Sequence, residues 1–292
     1  MAIGLAERVY LYSPTQISEL CTQAEDNYIC SLNFHPQGSL LSVGLFNGKT
    51  QIYDIETETL VRTVKGHSHR VSSSAFTYGL LYTGSRDSSI LGHDIRAHHS
   101  ISMRLQGHRG EVCGLKHDAC GLASGSNDDL AMVWDLNMAK SRYQLHGHKG
   151  AVKALSWCPW QRNLLITGGG ASDKTMRMWN IETGKTVNVI NTESQVCSIV
   201  CHPEEREILS SHGYSENQLS LWRVDKSDIN YLNCFKQAEL YGHTQRVLHM
   251  SLSPDSSTVC TASADETLRF WKVFQNGGDR LHGKSLSTKM DL

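Results

Sequence analysis

"TGGGASDKTMRMWN", Thr167 to Asn180, reads at first as nucleotide chemistry. Three glycines followed by a lysine–threonine pair are half of a phosphate-binding loop. The other half is missing. Such a loop needs a glycine directly before Lys174 and a helix after it; the sequence has Asp173 there and continues as "TMRMW", an alternation that predicts a strand. The glycine run therefore serves another structure, and its surroundings show which.

The stretch is one copy of a repeat. Gly-His dipeptides end at His67, His108, His148 and His243, with first steps of 41 and 40 residues and a last step of 95 that fits two units. Units close on an aromatic or Trp-polar pair: Tyr53-Asp54, His93-Asp94, Trp134-Asp135, Trp179-Asn180, Trp222-Arg223 and Trp271-Lys272. Six residues before four of these closures stand Asp87, Asp128, Asp173 and Asp265, and four before three of those come Thr83, Ser124 and Thr261. In the quoted stretch Thr167 takes the hydroxyl position. A period of ~40–45 residues with Gly-His and Trp-Asp signals marks a WD-repeat propeller of four-stranded blades. In WD repeats the histidine, hydroxyl, aspartate and tryptophan form a hydrogen-bonded chain, and a fully satisfied buried network specifies one geometry.

Two adjacent units depart from the common spacing. Thr167 to Asp173 is six residues, and so is Ser210 to Glu216 in "SSHGYSENQLSLW", where the other units have four. The hairpins between second and third strands are therefore longer in both. In a propeller those hairpins lie on the top face around the channel mouth, and extra backbone there usually belongs to a binding surface.

Units at 28–67, 68–108, 109–148, 149–192, 193–243 and 244–275 follow a fragment, 1–27, whose "MAIGLAERVYLYS" resembles only the second and third strands of a blade. The expected fold is all-β: a seven-bladed WD-repeat β-propeller over 1–275, its first blade incomplete and its ring closure unprovided for. A mobile polar tail is expected over 276–292.

Composition excludes several classes. Of 292 residues 39% are hydrophobic, enough for a sizeable core, and 28 Lys+Arg against 29 Asp+Glu give a net charge of -1 without a basic patch for phosphates. Neither nucleic acid nor a membrane surface is an expected partner. "MAIGLAERVYLY" lacks a signal-peptide pattern. The 9 cysteines, odd in number and irregular in spacing, fit reduced thiols and a nuclear or cytoplasmic home. Cys197, Cys201 and His202, and the pair His98-His99, could be offered as metal ligands. No second half-site accompanies them, so no metal or other cofactor is expected and the cysteines read as core.

Several stretches are more specific than a generic WD repeat: "GHRGEVCGLKHD", "LASGSNDDLAMVWD", "GAVKALSWCPWQRNLLITGGGASDKTMRMWN", "SQVCSIVCHP", "SHGYSENQLSLW" and "GHTQRVLHMSLSPDSSTVCTASADETLRFWKVF". They resemble the fizzy and fizzy-related family, coactivators that bring substrates to the anaphase-promoting complex, a ubiquitin ligase. The likeness runs from Ala2 to Phe274 and includes both long hairpins. "WCPWQRN" leans to the fizzy branch, "GSRDSSIL" and "HGYSENQ" to the fizzy-related one.

The resemblance implies a non-catalytic mechanism in which the top face holds degron peptides while another enzyme attaches ubiquitin. Its KEN-peptide contacts map onto Asn127, Gln195 and Arg246, with Ala171 at the position of a family hydroxyl. Its destruction-box site maps onto Glu266, for the peptide arginine, and onto an apolar groove including Ile3 and Ile17; both isoleucines read equally as blade core. The residues lead to the same face: position three after each Gly-His holds Arg70, Glu111, Ala151 or Arg246, and a cation there can pair a peptide glutamate. A bare solvated rim is the alternative reading.

The implied partners are the anaphase-promoting complex, degron-bearing substrates and pseudosubstrate inhibitors. There are departures. Ala171 removes a hydroxyl, Ala6 replaces an expected acid, and the family's C-box region, closing strand and Ile-Arg tail are not among these residues. A diverged scaffold or decoy that binds peptides without activating the ligase is thus the second expectation. An enzyme is the third, with no catalytic constellation outside the blade network to support it.

Overall fold

The structure, a computed structural model, describes all residues except 14, 98–99, 226–231, 275–286 and 292, and only the backbone of 287–291. Antiparallel strands follow one another into seven sheets, the blades of a β-propeller, each built from consecutive strands. The first sheet is β1 (Ala2–Leu5), β2 (Arg8–Tyr12) and β3 (Ile17–Thr22). The second is β4 (Ile29–Phe34), β5 (Leu40–Leu45), β6 (Thr50–Asp54) and β7 (Thr59–Val64); the third β8 (Val71–Phe76), β9 (Leu80–Ser85), β10 (Ile90–Asp94) and β11 (Ile101–Leu105). The fourth is β12 (Val112–Asp118), β13 (Gly121–Ser126), β14 (Ala131–Asp135) and β15 (Lys140–Leu145). The fifth is β16 (Val152–Trp157), β17 (Leu164–Gly169), β18 (Thr175–Asn180) and β19 (Lys185–Asn191); the sixth β20 (Val196–Cys201), β21 (Glu207–His212), β22 (Leu219–Val224) and β23 (Cys234–Leu240). The seventh is β24 (Val247–Leu252), β25 (Thr258–Ser263), β26 (Thr267–Lys272) and β27 (Ser287–Asp291).

The chain divides into two compact units, Met1–Gln144 and Leu145–Leu292. In the first unit β1 packs on β4, β4 on β8 and β8 on β12; in the second β16 packs on β20 and β20 on β24. The inner strands β8, β12, β16, β20 and β24 each start on a fully buried valine: Val71, Val112, Val152, Val196 and Val247. For Val71, Val112 and Val196 a glycine in the preceding sheet makes room. A Cβ on Gly84 would meet Val112, and one on Gly168 would meet Val196, so the repeated glycine after the network hydroxyl lets the sheets close up.

That accounts for the quoted glycines. Gly168 admits Val196, and Gly169 lies beneath the Asp173 carboxylate, where a Cβ would collide with it. Gly170 accepts the amides of Asp173 and Lys174 to close the hairpin. The run is a strand turn, β17 to β18, paired antiparallel from Leu164↔Asn180 to Gly168↔Met176.

The closing pairs have separate tasks. The first member is buried: Tyr53, His93, Trp134 and Trp179 are each at most 6% exposed. The second turns the chain. Asp54 Oδ1 accepts the amides of Glu56 and Thr57, Asp135 Oδ1 those of Asn137 and Met138, and Asn180 Oδ1 that of Glu182. These are side-chain turns that start the return to the outer strand.

Inside the blades the expected polar chain is present. In the fourth sheet Trp134 Nε1–H donates to Ser124 Oγ at 2.8 Å, Ser124 sits 2.7 Å from His108 Nε2, and His108 Nδ1 faces Asp128 Oδ2 at 3.1 Å. The fifth repeats this with Trp179, Thr167, His148 and Asp173, the seventh with Trp271, Thr261, His243 and Asp265. Indole can only donate, so the hydroxyl accepts from it and donates onward to His Nε2, which leaves the proton on Nδ1, facing the aspartate.

Two sheets reach this arrangement by substitution. In the third, His67 Nδ1 faces Asp87 Oδ2 at 2.9 Å and His67 Nε2 meets Thr83 Oγ1, and His93 Nε2 at 3.1 Å from Thr83 Oγ1 replaces the indole. In the sixth, which has no Gly-His, Trp222 donates to Ser210 and Ser210 meets His212 Nε2 at 2.7 Å, so the histidine comes from β21 itself.

The C-terminal stretch differs from expectation. Ser287–Asp291, placed in a mobile tail by its polar composition, forms β27 and pairs with β26 from Thr267↔Asp291 to Trp271↔Ser287. The edge of β26 presents backbone donors and acceptors that any extended segment can satisfy, so side-chain polarity was a poor guide. Residues 276–286 and 292 lie outside the described ones. The first sheet has three strands, and among the described residues none fills the inner position next to β1.

Removing one network member should be costly. Ser124→Ala leaves the Trp134 N–H and His108 Nε2 buried without their partner, each with a desolvation penalty of ~1–3 kcal/mol. Chemical denaturation should report a loss of that size, against near-neutrality for the exposed control Ser251→Ala. Acid should act through the same groups. Burial holds His93 and His212 down to about 4 and lowers His67, His108 and His243 against the opposing pull of their aspartates. A histidine whose folded value lies below the unfolded ~6.5 gives its full stability above 6.5 and loses it as pH falls toward the folded value. Burial would raise Asp87, but bonds from Ser89, His67 and the Ser68 amide outweigh it and hold it to about 2, so its contribution is lost only below the unfolded ~3.9. Thermal melts should show Tm falling first between pH 6.5 and 4 and again below pH 4. A flat Tm from pH 7 to 5 would contradict neutral buried histidines.

Candidate functional site

One backbone bond recurs at the loop ends of the inner strands. In five sheets the amide of the first residue after the second strand donates to the residue before the inner strand: Phe46 to Tyr28, Arg86 to Arg70, Asn127 to Glu111, Gly213 to Gln195 and Ala264 to Arg246, at 2.9–3.1 Å. In the third, fourth and seventh sheets this couples position three after Gly-His to the hairpin tip. This is why Asn127, Gln195 and Arg246, scattered in sequence, occupy related places in their sheets.

In the first unit Asn127 is exposed, and its amide is the one held by the Glu111 carbonyl. The Glu111 side chain is committed. Arg70 binds it through two bonds, Nε to Oε1 and Nη2 to Oε2, both 2.7 Å. Burial would raise Glu111, yet the Arg70 guanidinium holds it below its ordinary value, and that partner raises Arg70. The rim cation at position 70 is thus neutralised from within, something single-residue reading could not find. Two exposed aromatics, Tyr28 and Phe46, meet edge-on at 6.0 Å on the neighbouring sheet.

In the second unit Gln195 and Arg246 come together around Gly213. A Cβ on Gly213 would stand 2.9 Å from Gln195 Oε1 and 3.3 Å from Arg246 Cγ, so only glycine leaves both side chains in place. The Arg246 guanidinium lies over the Tyr214 ring, 5.2 Å from its centroid. Its Nε is buried and unbonded, and among the described residues no carboxylate pairs with it. A half-buried guanidinium with no anion, beside an amide, is suited to an incoming carboxylate. Ala171 is exposed in the fifth sheet's long hairpin, next to Ser172, whose hydroxyl donates to the Lys149 carbonyl at 2.9 Å.

Other sequence candidates fall as follows. Glu266 is exposed at the β25–β26 turn, with φ 60 and its amide on Ser263. Ile3 pairs with Tyr10 and Ile17 with Tyr12, so the two isoleucines share one face of the first sheet. Ile17 is 54% exposed, which removes the core reading for it; Ile3 is half-buried. Ala6 is exposed in the β1–β2 turn at φ 50. Cys197 and Cys201 are buried in β20, and His202 Nδ1 accepts the amides of Glu204 and Glu205. His98-His99 lies outside the described residues. Reading by residue type missed Tyr214 and the pairing of Glu111 with Arg70; an aromatic inside a lengthened hairpin was the available signal for Tyr214.

Comparison with known proteins agrees with this organisation. The family model described as the CDC20/Fizzy WD40 domain matches residues 1–271. The chain is 45% identical over 283 residues to "Anaphase-promoting complex subunit cdc20" of Dictyostelium discoideum, covering 94% of this chain and 55% of that one. It is 45% identical over 286 residues to "Cell division cycle 20.1, cofactor of APC complex" of Arabidopsis thaliana, covering 94% and 61%. Against "Protein FIZZY-RELATED 3" of the same plant it is 41% identical over 278 residues, covering 94% and 56%. The chain thus spans little more than half the length of these curated relatives. Among solved structures, a chain of "Crystal Structure of Mitotic Checkpoint Complex" matches with a TM-score of 0.89 and 41% identity, over 94% of this chain and 86% of that one.

Proposed function

The chain belongs to the CDC20/Fizzy family of WD40 proteins, and from that premise we propose that it is a substrate-recognition coactivator of the anaphase-promoting complex, holding degron peptides on the loops at one end of its blades. The observation that carries this reading is Arg246: a cation with no carboxylate partner among the described residues, kept beside Gln195 by a glycine. In the proposed complex the glutamate of a KEN motif accepts from the Arg246 guanidinium, and Gln195 and Asn127 bond the peptide amides. A destruction box uses Glu266 for its arginine and the apolar face of Ile3 and Ile17 for its leucine. Nothing in the scheme breaks a bond on this chain. It presents a substrate, and ubiquitin is attached elsewhere.

The proposed partners are the ligase, degron-bearing substrates and pseudosubstrate inhibitors that carry the same motifs. The proposed location is nucleus and cytoplasm. Ala171 favours a second reading, a scaffold or decoy that binds peptides weakly and activates nothing, because it withholds one hydroxyl from the KEN position.

Fluorescence anisotropy with a labelled KEN peptide and a scrambled control separates these. A charge-assisted hydrogen bond is worth ~1.5–3 kcal/mol, so Arg246→Ala should weaken KEN binding roughly ten- to a hundredfold while the fold survives. Ala171→Thr should strengthen it. Equal binding of KEN and scrambled peptides by the wild type would sink the degron reading. Specific binding indifferent to Arg246 would move the peptide to another place, with Glu266 the next to test.

A further inference from the structure

The sixth sheet's hairpin exceeds the common length by two residues, and the excess is not slack. The backbone around Tyr214 is fixed from two sides. Ser194, 2% exposed, donates its hydroxyl to the Gly213 carbonyl at 3.2 Å and to the Tyr214 carbonyl at 2.7 Å. Asn217 Nδ2 donates to the Thr244 carbonyl at 3.2 Å, two residues before Arg246, which ties the hairpin to the loop that carries the arginine. Between these anchors stands a tyrosine 62% exposed, one face of its ring under the guanidinium of Arg246. The corresponding turn of four-residue spacing in the seventh sheet, Ala264–Asp265–Glu266, carries no aromatic.

We propose that Tyr214 is a positioning residue for Arg246: the long hairpin exists to lay an aromatic face under that guanidinium, fixing it for an acidic side chain and so setting the site's preference for a carboxylate over a neutral isostere. This rests on reading Arg246 as the cation that takes the peptide acid. Arginine loses much rotamer freedom when it binds, and a planar guanidinium stacked beforehand on a ring loses less. The ring supports the cation without neutralising it, unlike Glu111, whose carboxylate saturates Arg70. Hairpin length thus distinguishes a rim arginine kept open from one kept closed.

The test compares wild type, Tyr214→Phe, Tyr214→Leu, Arg246→Ala and the double variant Tyr214→Leu/Arg246→Ala. The probes are two labelled peptides that differ only in Lys-Glu-Asn against Lys-Gln-Asn, with a scrambled peptide as control. The exposure of Tyr214 makes folding of both variants at position 214 the expectation, checked by thermal melts. Tyr214→Phe keeps the ring face and should bind the Glu peptide within about twofold of wild type. Tyr214→Leu should bind it ~3–5-fold more weakly, the size of an exposed cation–π contact, and leave the Gln peptide unchanged. It should add nothing in the Arg246→Ala background. Equal weakening for both peptides would mean that Tyr214 touches the peptide itself, and additivity with Arg246→Ala would mean that it acts independently; either overturns the proposal, as does an unaffected Tyr214→Leu.

A second readout needs no peptide. The Arg246 Hδ resonances should lie upfield through the ring current in wild type and Tyr214→Phe, and return in Tyr214→Leu; their absence from the upfield region in wild type overturns the pairing. A wild type that cannot tell the Glu peptide from a scrambled one counts against the degron reading, and the resonance shift then decides the pairing by itself.

Discussion

Everything in these sheets depends on a buried hydroxyl that must accept from one ring and donate to another. Ser124, Thr167 and Thr261 are each fully buried, and each sits between an indole N–H and an imidazole nitrogen. Because indole has no acceptor, the direction of the chain is forced from tryptophan to histidine, and the imidazole proton ends on the side of the aspartate. The aspartate in turn receives backbone amides from the loop that precedes the inner strand: Arg109 for Asp128, Thr244 for Asp265. One hydroxyl thus fixes strand spacing, histidine tautomer and loop position together. The loops before the inner strands are held by the same chain of bonds that holds the core.

Much of this was legible from spacing alone, since the network repeats and a repeat is read by counting. Where legibility failed, the reason was geometric. The sixth sheet lacks a Gly-His, so its histidine was invisible to that signal; His212, two residues beyond Ser210 on the same strand, reaches the hydroxyl because alternate residues share a face. His93 fills an indole position in the third sheet because an imidazole N–H can donate as an indole does. The strand Ser287–Asp291 was hidden because backbone pairing does not depend on the polar composition that suggested a tail.

The candidate site divides along similar lines. Arg246, Gln195 and Asn127 were reached through a family resemblance, and the recurring hairpin-to-loop hydrogen bond gives the physical reason why they occupy related places. Arg70 and Arg246 look equivalent in sequence, three residues after Gly-His, and are opposites in the fold: the first is locked to Glu111, the second rests on Tyr214 with no anion among the described residues. That difference depends on the neighbouring sheet, which local sequence cannot report. Ile17 is similar. Its type suggested core or groove equally, and its exposure on the face it shares with Ile3 removes the core reading.

The central claim is that the loops around Gly213 form the peptide-recognition surface of a coactivator propeller, held there by the buried network. Hydrogen–deuterium exchange on the free protein and on the protein saturated with a KEN peptide tests it most directly. The account predicts added protection confined to the loop ends, above all at 193–196, 213–218 and 244–247, with the network strands already slow to exchange in both states. Protection concentrated on the outer strands or at the opposite loops, or no change at 213–218 under saturation, would contradict it.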